Sequence, residues 1–159
     1  MNLEIKEAEE NDIPLILSFI KKLAEYEKLC GSVFADENKL KESLFGSGKA
    51  ARVLLVFHQK KAVAFAVYFF NFSTFLGRKG LYLEDVFVLP EERGKGIGER
   101  VLKRLAQIAV ENNCGRFEWA VLDWNKPAMK FYEKLGAAQM EDWRIYRLDE
   151  AGIKNLAEK

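Results

Sequence analysis

Leu3 and Ile5 alternate with charged neighbours over residues 3–8, the period-two pattern of a half-buried strand. Asn11 or Asp12 then offers an N-cap, and Pro14 falls in the first turn of a helix. The apolar face of that helix is Ile13, Ile16, Leu17, Ile20, Leu23 and Ala24, and Gly31 marks its break. Asp36 caps a shorter helix with Leu40 and Leu44 inward, stopped by Gly46-Ser47-Gly48. Residues 52–57 and 62–72 are β-rich runs on either side of His58-Gln59-Lys60-Lys61, which predicts an antiparallel hairpin. Residues 73–79 loop back into the next strand.

Residues 81–89 are apolar except for Glu84 and Asp85, the pattern of a central strand buried on both faces, with two carboxylates where burial of charge is costly. Because side chains alternate along a strand, Glu84 and Asp85 are expected on opposite faces. After Pro90, Gly94, Gly96 and Gly98 remove the β-carbons that would keep an anion from the backbone. Val101, Leu102, Leu105, Ile108 and Ala109 then repeat at three and four, with Glu99, Arg100, Lys103, Arg104 and Gln107 between them, so an amphipathic helix runs from Ile97. Residues 117–122 read as a strand. Asn125 and Pro127 start a helix with Ala128, Phe131 and Leu135 inward and Gly136 as its stop. Residues 137–139 start a short strand, residues 143–148 form a further one, and Asp149 caps a frayed last helix. The resulting order, β, α, α, β, β, β, α, β, α, β, is an α/β fold: a mixed, largely antiparallel central sheet flanked by helices.

At 159 residues the chain reads as one domain, residues 1–159. A chain of that size buries roughly 68–70% of its unfolded surface. Charge is balanced at 25 basic and 24 acidic residues, so no whole-chain field points to nucleic acid or to an anionic membrane, and an anion site has to be local. Cys30 and Cys114 are far apart, and the single histidine, His58, sits in a polar turn, so neither a disulfide framework nor a metal site is expected and a cytoplasmic location follows. The start of the chain lacks a signal pattern, and the apolar run over 62–70 falls short of the ~20 residues that span a bilayer.

The glycine loop decides between anion-binding devices. A dinucleotide-binding loop wants a third glycine at 99, where Glu99 stands, and a nucleotide-triphosphate loop wants Ser or Thr after Gly-Lys, where Gly96 stands. Arg93-Gly94-Lys95-Gly96-Ile97-Gly98 instead fits Arg/Gln-x-x-Gly-x-Gly/Ala. With the strand before it and residues 125–136 after it, nearly the whole chain resembles the GNAT superfamily of acetyl-coenzyme A dependent N-acetyltransferases. Leu-Ala-Glu-Tyr-Glu at 23–27, Tyr-Leu-Glu-Asp-Val-Phe-Val at 82–88, Gly-Ile-Gly at 96–98 and Trp-Asn-Lys-Pro-Ala at 124–128 resemble its spermidine/spermine (diamine) and thialysine acetyltransferases.

The resemblance implies acetyl-CoA as co-substrate, with its pyrophosphate on the backbone of Arg93, Gly94, Lys95, Gly96, Ile97 and Gly98. Its pantetheine would pair with Phe87 and Val88 as an added strand, while Asn125, Tyr132 and Lys134 supply further contacts. Amine attack on a thioester needs a base for an ammonium of pKa about 10, an oxyanion donor, and an acid for a thiolate of pKa about 8.5. By resemblance Glu84 takes the amine proton and Tyr132 protonates the thiolate; the Val86 or Phe87 backbone N–H is the oxyanion donor. Tyr26, Glu27, Glu84 and Asp85 would hold the acceptor. A carboxylate made less acidic by burial suits the base, whereas a strand-end ion pair is the plain alternative for Glu84, a packed core tyrosine for Tyr132 and a salt bridge for Asp85.

Polyamine-acetylating relatives carry more acids after the Tyr-Glu pair, where this chain has Lys28-Leu29-Cys30-Gly31, and an aspartate where it has Ser73. Fewer carboxylates favour a small diamine-like or lysine-like acceptor over a long polycation. A protein or peptide N-acetyltransferase and a non-catalytic acyl-CoA-binding module are the other classes. Retention of both Glu84 and Tyr132 favours an enzyme, and the family implies a homodimer.

Overall fold

The computed structural model describes residues 1–159. They form two compact units, Met1–Ala120 and Val121–Lys159.

In the first unit, β1 (Leu3–Glu7), β2 (Arg52–His58), β3 (Lys61–Ser73), β4 (Arg78–Val88) and β5 (Phe117–Trp119) lie side by side in sequence order. β1 to β4 pair antiparallel, and β5 joins β4 in parallel. A parallel neighbour needs a crossover, and α3 (Ile97–Glu111) supplies it. The mixed, largely antiparallel sheet expected from the sequence is therefore present.

Cross-strand partners share a face, so the register sorts the core. Phe65 lies opposite Phe87. Both join Val53, Leu55 and Leu89 in a cluster with Ile16 and Phe19 of α1 (Ile13–Tyr26) and with Leu44. Phe19 stacks on Phe65 with ring centroids 5.2 Å apart and planes 10° from parallel. Phe19 falls outside the apolar face drawn for this helix from sequence, yet it is among its most buried residues. On the other face lie Leu54, Ala64, Ala66, Tyr68 and Leu83, and α3 buries Ile97, Val101, Leu102, Leu105, Ile108 and Ala109, the stripe its periodicity indicates. Tyr68 is nearly fully buried there, and its hydroxyl donates to Glu7 at 2.8 Å. Burial and this bond both push its phenol up.

Asp36 accepts from the Lys39 N–H at 2.8 Å and caps α2 (Glu37–Leu40), which runs on into a wider turn over Lys41–Phe45. The hairpin between β3 and β4 is longer than expected, because pairing continues through Ser73 and Arg78. Ser73 is buried, and its hydroxyl accepts from the Leu76 N–H at 3.2 Å, so it fastens the turn.

In the second unit, α4 (Lys126–Lys134) and α5 (Glu150–Ala157) start where sequence places them. Asn125 caps α4 through the Ala128 N–H at 3.4 Å, and Asp149 caps α5 through the Gly152 N–H at 2.8 Å. Three expectations fail. β5 stops at Trp119 instead of running to 122, residues 137–139 and 143–148 form no strand, and Leu135 is exposed rather than inward. Trp143, Ile145 and Tyr146 are also exposed. Apolar alternation describes a chain able to lie in a sheet, but a strand exists only where a neighbour completes its hydrogen bonds.

Candidate active site

The site is built on a break in β4. Tyr68 lies opposite Leu83 and Val67 opposite Asp85, so Glu84 is an extra residue, a β-bulge. The bulge suspends the alternation expected of Glu84 and Asp85. Glu84 is exposed and Asp85 half-buried. The two carboxyls are close enough for the charge of Glu84, after burial the largest cause, to raise Asp85 further, with Glu27 adding to it; the Asp85 pKa is pushed up to about 7. Burial also pushes the Glu27 carboxyl up. Tyr82 is raised by burial first, then by Glu84, Glu118 and Asp85. Burial was expected at Glu84; the carboxyl it acts on is its neighbour.

The bulge also marks where β4 loses its outer partner. Pairing with β5 covers Leu81 to Leu83 and ends at Trp119. Beyond it the antiparallel ladder to β3 fixes which backbone groups face outward. The Leu89 N–H donates to the Val63 carbonyl at 2.9 Å, so Ala64 and Val88 are a non-hydrogen-bonded pair whose own N–H and C=O groups point away from each other. Alternation makes Val86 the next such residue, whereas the groups of Phe87 belong to the ladder with Phe65. Val86 and Val88 therefore offer the outer edge, and of the two expected oxyanion donors only the Val86 N–H faces it.

Arg93 follows a short 3₁₀ turn over Pro90–Glu92 and reaches back to this edge. Its Nε donates to the Val88 carbonyl at 3.0 Å, which agrees with the outward orientation of that group. The guanidinium lies 4.5 Å from the Tyr26 ring centroid and 5.2 Å from that of Phe87. Tyr26 is the last residue of α1, and Glu27 is its C-cap. The strand edge, the end of α1 and the start of the glycine loop thus meet around Phe87.

Gly94 and Gly96 adopt φ of +75° and +77°, and Gly96 is the N-cap of α3. A side chain is strained at such angles, yet a β-carbon at either position would meet no atom within 4 Å. The backbone at Gly94 and Gly96, just before α3, is therefore unobstructed on that side, which suits an anion. Lys95 is already engaged, its ammonium 2.9 Å from Glu92. These observations fit the coenzyme: an edge whose Val86 and Val88 backbone groups lie outside the strand ladder, with Arg93 on the Val88 carbonyl, for an amide-bearing arm, and glycines without β-carbons for its phosphates.

In the second unit, Tyr132 is half-buried on α4 with its ring 5.6 Å from that of Phe131. Asn125 is engaged as the cap of α4, and Lys134 is exposed in its last turn. The chain has no group of three or more His, Cys, Asp or Glu side chains placed to hold a metal, and no helix is long and apolar enough to cross a membrane.

A parallel strand pair opening at a bulge, followed by a glycine cradle at a helix start, defines an acyl-coenzyme A transferase architecture. The acetyltransferase (GNAT) family pattern matches residues 20–137, and the chain belongs to that family; it is an N-acetyltransferase for which the family implies acetyl-CoA as co-substrate. It is 39% identical over 166 residues to the thialysine N-epsilon-acetyltransferase of Bos taurus, covering 98% of this chain and 97% of the relative. A spermidine/spermine N(1)-acetyltransferase-like protein 1 of Homo sapiens is 33% identical over 97% of this chain and 24% of that protein. Among solved structures, an integron cassette protein from the mobile metagenome of V. cholerae superposes with a TM-score of 0.83 at 30% identity, covering 100% of this chain and 99% of that one.

The raised pKa of Asp85 has a consequence for stability. Between the usual 3.8 and about 7 the folded protein holds a proton that the unfolded chain has released, so stability falls as pH rises through that window. Asp85→Asn removes this cost. Its Tm should exceed that of the wild type at pH 8, each kcal/mol of relieved cost raising it by about 2–4 °C. The gap should close near pH 4, and melts across pH would show it.

Proposed function

We propose that the protein transfers the acetyl group of acetyl-CoA to a primary amine of a small lysine-, ornithine- or diamine-like molecule. The observation that carries this is the cluster of Glu27, Glu84 and Asp85 beside the open edge of β4, where a cation is the ligand that relieves the mutual repulsion. The names of the relatives support the same class: besides those above, L-ornithine N5-acetyltransferase NATA1 of Arabidopsis thaliana is 43% identical over 84 residues, 53% of this chain and 37% of that protein.

In this reading the coenzyme, when bound, supplies the thioester carbonyl. The chain's residues do the rest. The outer edge at Val86 and Val88 and the backbone from Arg93 to Gly98 hold it, with Asn125 and Lys134 as further contacts. The Val86 N–H faces the developing oxyanion, which strengthens attack at the carbonyl. Tyr26, Glu27, Glu84 and Asp85 hold the acceptor, and its ammonium gives one proton to the Glu84–Asp85 pair, assigned from sequence to Glu84. The free amine attacks the carbonyl carbon, the C–S bond breaks, Tyr132 passes its proton to the thiolate, and the second proton lost by the nitrogen restores the tyrosine, leaving amide and thiol.

Three carboxylates match one or two ammonium groups better than a polycation. Ser73, engaged in its turn, adds no charge. A coenzyme-release assay with thialysine, lysine, ornithine, diamines, polyamines and N-terminal peptides tests the reading. The highest kcat/KM is expected with a short amine; preference for a peptide, or tight coenzyme binding without turnover of any amine, would replace it.

Gly96→Val tests the cradle. A β-branched residue at a φ of +77° costs about 1–2 kcal/mol and puts carbon where phosphate is expected. Coenzyme A should bind roughly 10- to 100-fold more weakly, a loss of about 1.4–2.8 kcal/mol measurable by calorimetry. The reading also carries a homodimer in the cytoplasm without nucleic-acid or membrane partners, and sedimentation as a monomer would refute the dimer.

A further inference from the structure

We propose that the outer edge of β1, together with the groove between β1 and α3, docks an extended acidic segment of a partner protein, which joins the sheet as a further strand and lays its carboxylates against Arg100, Lys103 and Arg104.

β1 is the end strand of the sheet, with β2 as its neighbour. The register tells which of its backbone groups point outward. The Ala8 N–H donates to the Val53 carbonyl at 2.9 Å, which makes Ala8 and Val53 a hydrogen-bonded pair. Counting back by twos from Glu7, the N–H and C=O groups of Glu7, Ile5 and Leu3 are the ones turned away from β2. Met1 has the same parity, and its carbonyl takes a hydrogen bond from Arg100 Nη1 at 3.1 Å. The cationic face of α3 therefore reaches this edge. An end strand with its backbone groups unpaired is the template on which an extended peptide adds.

The side chains of the same residues floor the groove. Leu3 and Ile5 line a cavity of about 370 Å³ whose other wall is Arg100, Lys103, Arg104 and Gln107. Those four recur at three and four, so α3 turns one whole polar stripe toward two half-buried apolar side chains.

Charge selects the occupant. Lys103 is exposed and has no carboxylate within ion-pair distance, and Arg100 is held only by the Met1 carbonyl. Arg104 is paired with Glu111 at 2.9 Å. The acid on this side of β1, Glu7, already accepts from the Tyr68 hydroxyl at 2.8 Å and lies 3.7 Å from Arg52. Glu4 and Lys6 alternate to the opposite face, where the Lys6 ammonium lies 4.9 Å from the Phe57 ring centroid. The groove thus carries an excess of positive charge. A strand with an acid at every second residue meets the outward backbone groups and the cations together. A second copy of the chain fits less well, because antiparallel pairing of β1 with itself sets two cationic stripes on one face of the joined sheet.

The probe is a short fluorescent peptide alternating glutamate and valine, added to the full chain and followed by anisotropy. Saturable binding is expected that weakens as salt rises and slows hydrogen exchange at the Leu3, Ile5 and Glu7 amides. Lys103→Glu should weaken it about tenfold or more while acetyl transfer stays unchanged. Two further peptides, N-methylated on the glutamates or on the valines, leave the protein untouched; whichever one carries its methyl groups toward β1 should lose at least about tenfold. No binding up to about 1 mM peptide, or equal binding of all three peptides, overturns the proposal. So does equal binding by Lys103→Glu, or tighter binding of a single-stranded oligonucleotide of the same charge. Protection of the β1 amides that grows with protein concentration in the absence of peptide would assign the edge to a second copy and overturn it as well.

Discussion

Tyr132→Phe should lower kcat by about 10²–10⁴-fold, the range a positioned proton donor contributes, while coenzyme A binds as tightly as to the wild type. The substitution removes one oxygen and keeps the ring, so the packing of Tyr132 against Phe131, at 5.6 Å between centroids, survives. That distinguishes the proton-transfer role from a core role. A packed tyrosine with an idle hydroxyl would give equal turnover in the two proteins. A residue needed only to hold the helix would lower the melting temperature without lowering kcat of the folded fraction. Stopped-flow turnover beside calorimetric coenzyme binding separates the three outcomes. An acetyl thioester of a thiol of lower pKa, used as donor in place of acetyl-CoA, should narrow the difference, because a better leaving group needs less help from an acid.

The second large effect is on the scaffold. Phe65→Ala should cost about 3–5 kcal/mol, out of the 5–15 kcal/mol that holds a typical domain. Phe65 is fully buried, stacked on Phe19 and placed opposite Phe87. The loss removes the ring's transfer from water and leaves a void between a helix and a strand that close only together. The midpoint of urea unfolding should fall accordingly, and a change under 1 kcal/mol would mean that α1 resettles onto the sheet. The effect reaches the site through Phe87, which is buried beside Phe65 and carries both the Tyr26 and the Arg93 contacts.

Much of this architecture is legible because the cues are local. Asp36, Asn125 and Asp149 cap their helices as sequence indicates, since a cap needs only a short polar side chain and a backbone N–H three residues on. The buried stripe of α3 follows from spacing alone. The missed Phe19 had a signal in retrospect: it stands three residues after Ile16, on the face the period selects. The 143–148 segment failed for the opposite reason, as its alternation is real but its partner is not given by its own residues.

The glycine loop and the adjacent acids are equally visible in the residue string, and with them the family and the chemistry it performs. Sequence thereby determined that residues 81–112 form a strand, a bare anion cradle and a helix, and that two carboxylates stand in the strand. Which of the two is shielded was decided only in three dimensions. A bulge depends on the register of β4 against β3, a contact between positions distant in the chain, and one added residue there reverses the side to which the following side chains point. The same register turns the Val86 and Val88 backbone groups outward, and the early end of β5 leaves them without a strand partner on that side. Asp85 owes its shifted acidity to that arrangement, because burial and the approach of Glu27 from α1 exist only once the sheet and helix have come together.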